Sequence, residues 1–211
     1  MYLNEFLMVA LVHLLAVMSP GPDFAVVIRN SVSAGRQAGL WTAFGVGCGI
    51  LIHVGYSLLG IGFIVSQSVW LFNLLKWMAA AYLIFLGLRA LQSKPRDLSG
   101  PELGPAQLTS RRAFLHGFIT NGLNPKATLF FLSLFTVVIS PQTPLTIQAG
   151  YGGYLAFATG IWFVLVALLF SHSTIRSTFA RMGHWFDRLM GGVLVGLGGH
   201  LALSEWLKRG A

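Results

Sequence analysis

Six mostly apolar stretches, at 3–29, 38–64, 68–91, 113–139, 147–171 and 184–207, leave this chain few ways to fold. Each is about as long as the 20 or so residues that a helix needs to cross a bilayer. Inside lipid every backbone donor and acceptor must be paired within the protein, and a helix does this unaided. Only 9% of the 211 residues are charged, against roughly a quarter in a soluble domain. The expectation is an all-α membrane protein of six transmembrane helices with no soluble domain. The first run has no basic residue ahead of it and no clear small-x-small cleavage site, so it is expected to remain as a span.

The net charge of +8 does not mark a nucleic-acid binder, because the basic residues are scattered through short connections rather than gathered in a patch. They alternate instead. Arg29 and Arg36 flank the first connection, Lys94, Arg96, Arg111 and Arg112 the third, and Arg176 and Arg181 the fifth, while the second and fourth carry no charge. The positive-inside rule then puts the odd connections in the cytoplasm, against anionic lipid, and both termini outside. The single cysteine, Cys48, excludes an intrachain disulfide and reads as a small packing residue.

Within the first apolar run stands Ser19-Pro20-Gly21-Pro22-Asp23. The prolines remove backbone donors and interrupt the helix. Unwound backbone at membrane depth is tolerated only inside protein or beside a watery cavity. Asp23 is the only acidic residue between Glu5 and Asp97, and a carboxylate at that place points to a functional site. A plain proline kink with Asp23 capping the resumed helix is the simpler reading, but it leaves the second proline unexplained.

The fourth run is broken in the same way, at Asn121-Gly122-Leu123-Asn124-Pro125-Lys126. Pro22-Asp23 and Pro125-Lys126 lie 103 residues apart at matching places in two sets of three spans. The second span of each set carries small residues at i, i+4 and i+8, Gly39-Ala43-Gly47 and Gly152-Ala156-Gly160, which let helices approach closely. A three-span unit repeated in tandem inserts with opposite orientation. The chain therefore reads as one transmembrane domain of two inverted repeats with proline-broken first helices, 1–92 and 112–211, joined by a polar linker at 93–111. Pro22 and Pro125 are expected to face each other near the pseudo-twofold axis. Interrupted spans at corresponding positions of two halves point to a transporter binding site.

Asp23 and Lys126 are opposite charges, each one residue past a helix-breaking proline. They could clamp the two ends of a zwitterion, helped by free backbone donors around Asn124. They could equally neutralise one another across the bundle as a gate, with substrate held by Asn121 and Asn124. His53 is a candidate for a proton path, whereas His13 reads as a histidine hydrogen-bonded inside the bundle.

At these residues the sequence resembles the lysine exporter and homoserine/threonine exporter (LysE/RhtB-type) family of bacterial efflux permeases. The resemblance rests on Ser19-Pro20-Gly21-Pro22-Asp23, on the glycine ladder from Gly35 through Gly39, Gly45 and Gly49 to His53, and on Asn121-x2-Asn124-Pro125-Lys126. It implies a six-helix inner-membrane permease exporting amino acids or close derivatives, with proton exchange as the usual coupling. Substrate-binding or coupling residues are then expected among Pro20, Gly21, Pro22, Asp23, His53, Asn121, Asn124, Pro125 and Lys126. A small-molecule substrate, protons and membrane lipid are the implied partners, nucleic acid is not, and a homodimer is left open. No cofactor or resident metal is implied.

Other classes fit less well. His53 and Ser57 share a helical face, but no glycine-x-serine-x-glycine elbow or third orienting group accompanies them as in a hydrolase. A haem subunit would rest on His13 and His53 alone. A divalent metal-ion exporter is the nearest alternative, with Asp23 and His53 as ligands, although no histidine- or acid-rich loop gathers a metal.

Overall fold

A computed structural model describes residues 2–67, 69–94 and 108–172, with scattered positions between 175 and 203. Most of the expected linker and most of the sixth span, 184–207, therefore lie outside the described residues. Among those described, all regular structure is helical.

The first apolar run folds as two helices, α1 (Tyr2–Met18) and α2 (Pro22–Ser33), bent by 55° at the break. Pro22 opens α2 at a position where its missing N–H costs nothing, and Asp23 in the first turn complements the helix dipole. Gly35, with φ of +88°, makes the left-handed turn into α3 (Arg36–Gln67) that a side chain would resist. α4 (Val69–Leu91) follows. The fourth run is again two helices, α5 (Ser110–Gly122) and α6 (Pro125–Ser133), and α6 runs on into a π-helical turn over Leu134–Val138. α7 (Leu145–Phe170) completes the described core.

Two of these helices are long and apolar enough to cross a membrane by themselves, and a third span results if the bent α1–α2 pair is one crossing. The outer faces suit lipid. Leu3, Leu7, Leu11 and Leu14 on α1, and Phe157, Ile161 and Leu165 on α7, are exposed at helical spacing.

Small residues fix how closely the helices cross. Gly45 of α3 lies against the Phe114 carbonyl of α5, and reciprocally Gly117 of α5 lies against the Thr42 carbonyl of α3. Gly47 of α3 meets Gly160 of α7, where a Cβ on Gly47 would stand 3.0 Å from the Gly160 Cα. α4 packs on the C-terminal segment through Gly87 against Gly191 and Val195.

The packed interior divides into two apolar clusters. One gathers Val9, Val12 and Ala16 of α1 with Ile50, Phe130, Phe131, Leu134 and Leu155. The other gathers Phe24, Val27 and Ile28 of α2 with Ala43, Val46, Phe163 and Phe170. The break between α1 and α2 falls where the two clusters meet. That junction holds a cavity.

Candidate functional site

The cavity measures about 50 Å³ and draws its walls from both clusters, with Ala16, Ile50, Phe130 and Phe131 on one side and Phe24 and Phe163 on the other. Its polar lining comes from the two helix breaks: Ser19, Gly21 and Asp23 from the first, Asn121, Asn124 and Lys126 from the second. His13 of α1 and Thr159 of α7 also border it. The two motifs read from the sequence as broken helices are thus brought to one place.

Each break must satisfy the carbonyls that its prolines strand. Pro20 cannot supply the N–H that the Ala16 carbonyl would accept one turn on. The Lys126 ammonium supplies donors there, to the Ser19 carbonyl at 2.5 Å and the Ala16 carbonyl at 3.3 Å. Gly21 allows this approach, since a Cβ on it would press the Lys126 side chain at 3.3 Å. At the second break Pro125 cannot serve the Asn121 carbonyl. That oxygen takes one bond from the Asn124 N–H at 2.8 Å and another from His53 Nε2 at 2.9 Å.

This geometry also fixes the His53 tautomer. Nε2 faces a carbonyl and must carry its proton, so in the neutral ring Nδ1 accepts from the Tyr56 hydroxyl, 2.7 Å away. The same hydroxyl lies 3.3 Å from the Thr128 carbonyl of α6. A doubly protonated ring would donate to the Tyr56 oxygen and send the tyrosine proton to that carbonyl. Both states of the ring leave His53 fully bonded.

Asp23 is held by amides. Its Oδ2 accepts from Asn121 Nδ2 at 3.0 Å and from Asn124 Nδ2 at 2.9 Å, while its buried Oδ1 has no hydrogen-bond partner among the described residues. Asn124 does two jobs, because its Oδ1 also caps α6 by accepting from the Lys126 backbone N–H at 3.0 Å. Asn121 is fully buried, and its own Oδ1 is likewise without a hydrogen-bond partner. Gly49 makes room for it, since a Cβ there would lie 2.7 Å from that oxygen.

Not every residue singled out in the sequence borders the cavity. Gly21, Asp23, Asn121, Asn124 and Lys126 do. Pro22 and Pro125 are exposed at the starts of their helices, and with Pro20 they stay outside the lining. The expectation that the prolines face each other gives way to a different arrangement: they break the helices, and the residues beside them meet. His53 also stands one step back, outside the lining, with its Nε2 on the Asn121 carbonyl.

Three groups escaped the sequence reading. Tyr56 shares the His53 face of α3 at i+3, a spacing that could have shown it. Thr159 had no signal beyond its place on an apolar helix. Glu5 fastens the start of α1 to the turn before α7, accepting from the Ser140 N–H at 2.6 Å, the Thr143 hydroxyl at 2.9 Å and the Tyr151 hydroxyl at 3.1 Å. Those partners come from 135 or more residues away, beyond the reach of any local pattern.

Comparison with known proteins gives a consistent picture. The model of the family described as LysE type translocator matches residues 14–205. The chain is similar to the threonine efflux protein of Escherichia coli (strain K12), 34% identical over 202 residues that cover 95% of this chain and 98% of that protein. The threonine efflux protein of Salmonella typhi is also 34% identical, over 95% of this chain and 98% of its own length. The uncharacterized membrane protein YahN of Escherichia coli (strain K12) is 30% identical over 83% of this chain and 79% of its own. No solved structure matches the chain.

Proposed function

This chain belongs to the LysE type translocator family, which makes it a membrane transporter rather than an enzyme, and from that premise we propose that it exports small amino acids or close derivatives across the bacterial inner membrane in exchange for protons. The names of its relatives make threonine the first substrate to test.

One observation carries the reading. A carboxylate oxygen with no hydrogen-bond partner, Asp23 Oδ1, sits beside a cavity built from two broken helices. An ammonium group is the ligand that such an oxygen suits, because a charge-assisted bond replaces an unmet acceptor. Lys126 lines the same cavity and is the cation assigned to the substrate carboxylate. Asn121 and Asn124 hold Asp23 in place through Oδ2 and leave Oδ1 for the substrate. His53 and Tyr56 form a proton-accepting pair next to this carboxylate, bonded in either protonation state.

The architecture proposed is six spans in two inverted repeats, 1–92 and 112–211, joined at 93–111. Its support is that Gly47 and Gly160, which correspond in the two halves, meet each other, as residues on a twofold axis must. The alternative of a divalent-metal exporter gains nothing from the site. Both ring nitrogens of His53 are engaged, and the polar neighbours of Asp23 are amides rather than further carboxylates.

The test is amino-acid accumulation in challenged cells, with and without the protein, across a panel led by threonine. External accumulation of at least one amino acid, lost in Asp23→Asn, is the expected result. Unchanged internal and external levels for the whole panel would defeat the proposal.

A further inference from the structure

The Lys126 ammonium has two claimants. It donates to the carbonyls of Ser19, at 2.5 Å, and Ala16, at 3.3 Å, in the break between α1 and α2. On the exporter reading, the carboxylate of a bound amino acid needs the same ammonium. A carboxylate brings a full negative charge where a carbonyl offers only a dipole, and it wins the cation when both are within reach.

The two ends of the substrate therefore meet different conditions. Asp23 Oδ1 is buried without a hydrogen-bond partner among the described residues, so an ammonium docks there without displacing anything. The carboxylate docks by drawing Lys126 away from α1. Lys126 is rooted for such a swing, because Asn124 Oδ1 holds its backbone N–H at 3.0 Å and caps α6. The side chain can turn while the start of α6 keeps its place. What loses a partner is α1. Pro20 cannot donate to the Ala16 carbonyl, and the Ser19 carbonyl gives up its 2.5 Å bond at the point where the helix pair already bends by 55°.

We propose that Lys126 is a strap released by substrate: the carboxylate of the bound amino acid takes its ammonium from the Ser19 and Ala16 carbonyls and frees the break between α1 and α2 to move. This rests on the exporter reading above and adds which end of the substrate moves the protein. A ligand shifts a conformational equilibrium only by the difference in its affinity for the two states. That difference sits at the carboxylate, while the ammonium end supplies binding alone. An amine lacking the carboxylate then occupies the site without being carried.

The experiment uses the full chain in proteoliposomes with threonine and threoninol, the amino alcohol that keeps the ammonium and replaces the carboxylate with a neutral hydroxyl. If the amino-acid panel singles out another substrate, that amino acid and its amino alcohol take their places. Threoninol should compete with threonine, yet its own maximal rate should stay about tenfold or more below that of threonine, within the usual range for coupling free energies. Threoninol that needs a higher concentration but reaches the maximal rate of threonine overturns the inference, because the carboxylate would then only add to binding. So does threoninol that fails to compete, since its ammonium should suffice to dock. Neither comparison needs a variant to fold. A second measurement reads the break itself, with spin labels at Leu11→Cys on α1 and Val32→Cys on α2, both exposed positions, in a Cys48→Ala background. Threonine should change the distance between the labels and threoninol should not, while Lys126→Met should give the threonine-bound distance with no ligand present. A distance that threonine leaves unchanged, or that Lys126→Met leaves at the ligand-free value, overturns the inference with the exporter reading intact. Wild-type protein that carries no amino acid of the panel removes the exporter reading, and this inference with it.

Discussion

Lys126, at the start of α6, donates through its ammonium to the carbonyl oxygen of Ser19, 2.5 Å away in the break between α1 and α2. The positive charge therefore rests at the carbonyl end of α1, the negative pole of that helix. His53 does the equivalent at the other break, where its Nε2 meets the carbonyl of Asn121. Two helices stopped by proline are each completed by a side chain from elsewhere in the fold.

Replacing Lys126 with Met should strand the carbonyls of Ala16 and Ser19 and cost about 1–3 kcal/mol. Thermal melting of the purified protein would register the loss, and Lys126→Arg should recover part of it. The exchange Asp23→Lys with Lys126→Asp should not restore transport, because an aspartate at 126 would confront carbonyl oxygens. Recovery of export in that double variant would contradict the capping role and favour a simple charge gate.

His53→Leu removes the outside donor to the Asn121 carbonyl and should lower folded yield. His53→Gln keeps an N–H donor and should fold. It cannot carry a second proton, so its export should lose dependence on external pH if the ring is the coupling group. A pH profile that matches wild type in His53→Gln would take the ring out of coupling.

Asp23→Asn preserves shape and removes the charge that an ammonium needs. Export should fall by roughly ten- to a hundredfold while folded yield holds, the range expected for one charge-assisted bond. Transport at wild-type rates would exclude Asp23 as the ammonium partner.

Gly47→Leu should reduce folded yield more than Gly160→Leu, since bulk at Gly47 has only the α7 backbone to displace whereas a Cβ on Gly160 meets only the Gly47 Cα, at 3.9 Å. Gly153→Ala is the control, because a Cβ there meets nothing within 4 Å. Equal detergent-extracted yields for all three variants would show that the α3–α7 crossing tolerates separation.

The helices and their breaks were readable because lipid permits few backbone solutions. An apolar run with paired prolines in its middle can be little else than a broken helix in a protected place. Treating the breaks as counterparts put Asp23, Asn121, Asn124 and Lys126 on one list, but not the bonds that the two amides make to Asp23. What resisted reading was the choice of partner at close range. Opposite charges suggested a clamp for a zwitterion or a gate between Asp23 and Lys126, and neither reading foresaw that the Ala16 and Ser19 carbonyls at a helix pole also take the Lys126 ammonium. His53 was visible as an intramembrane histidine, yet its bond to a backbone oxygen 68 positions away depends on the α3–α5 crossing and not on any local motif.

A chamber of about 50 Å³ has room for only a few water molecules. On the exporter reading, the chamber must widen before it takes in a whole amino acid. Each turnover must therefore begin with movement of the backbone around the breaks. Throughput is then governed by how often the helices part, and saturation and steep dependence on temperature follow, as for a revolving door rather than a pore.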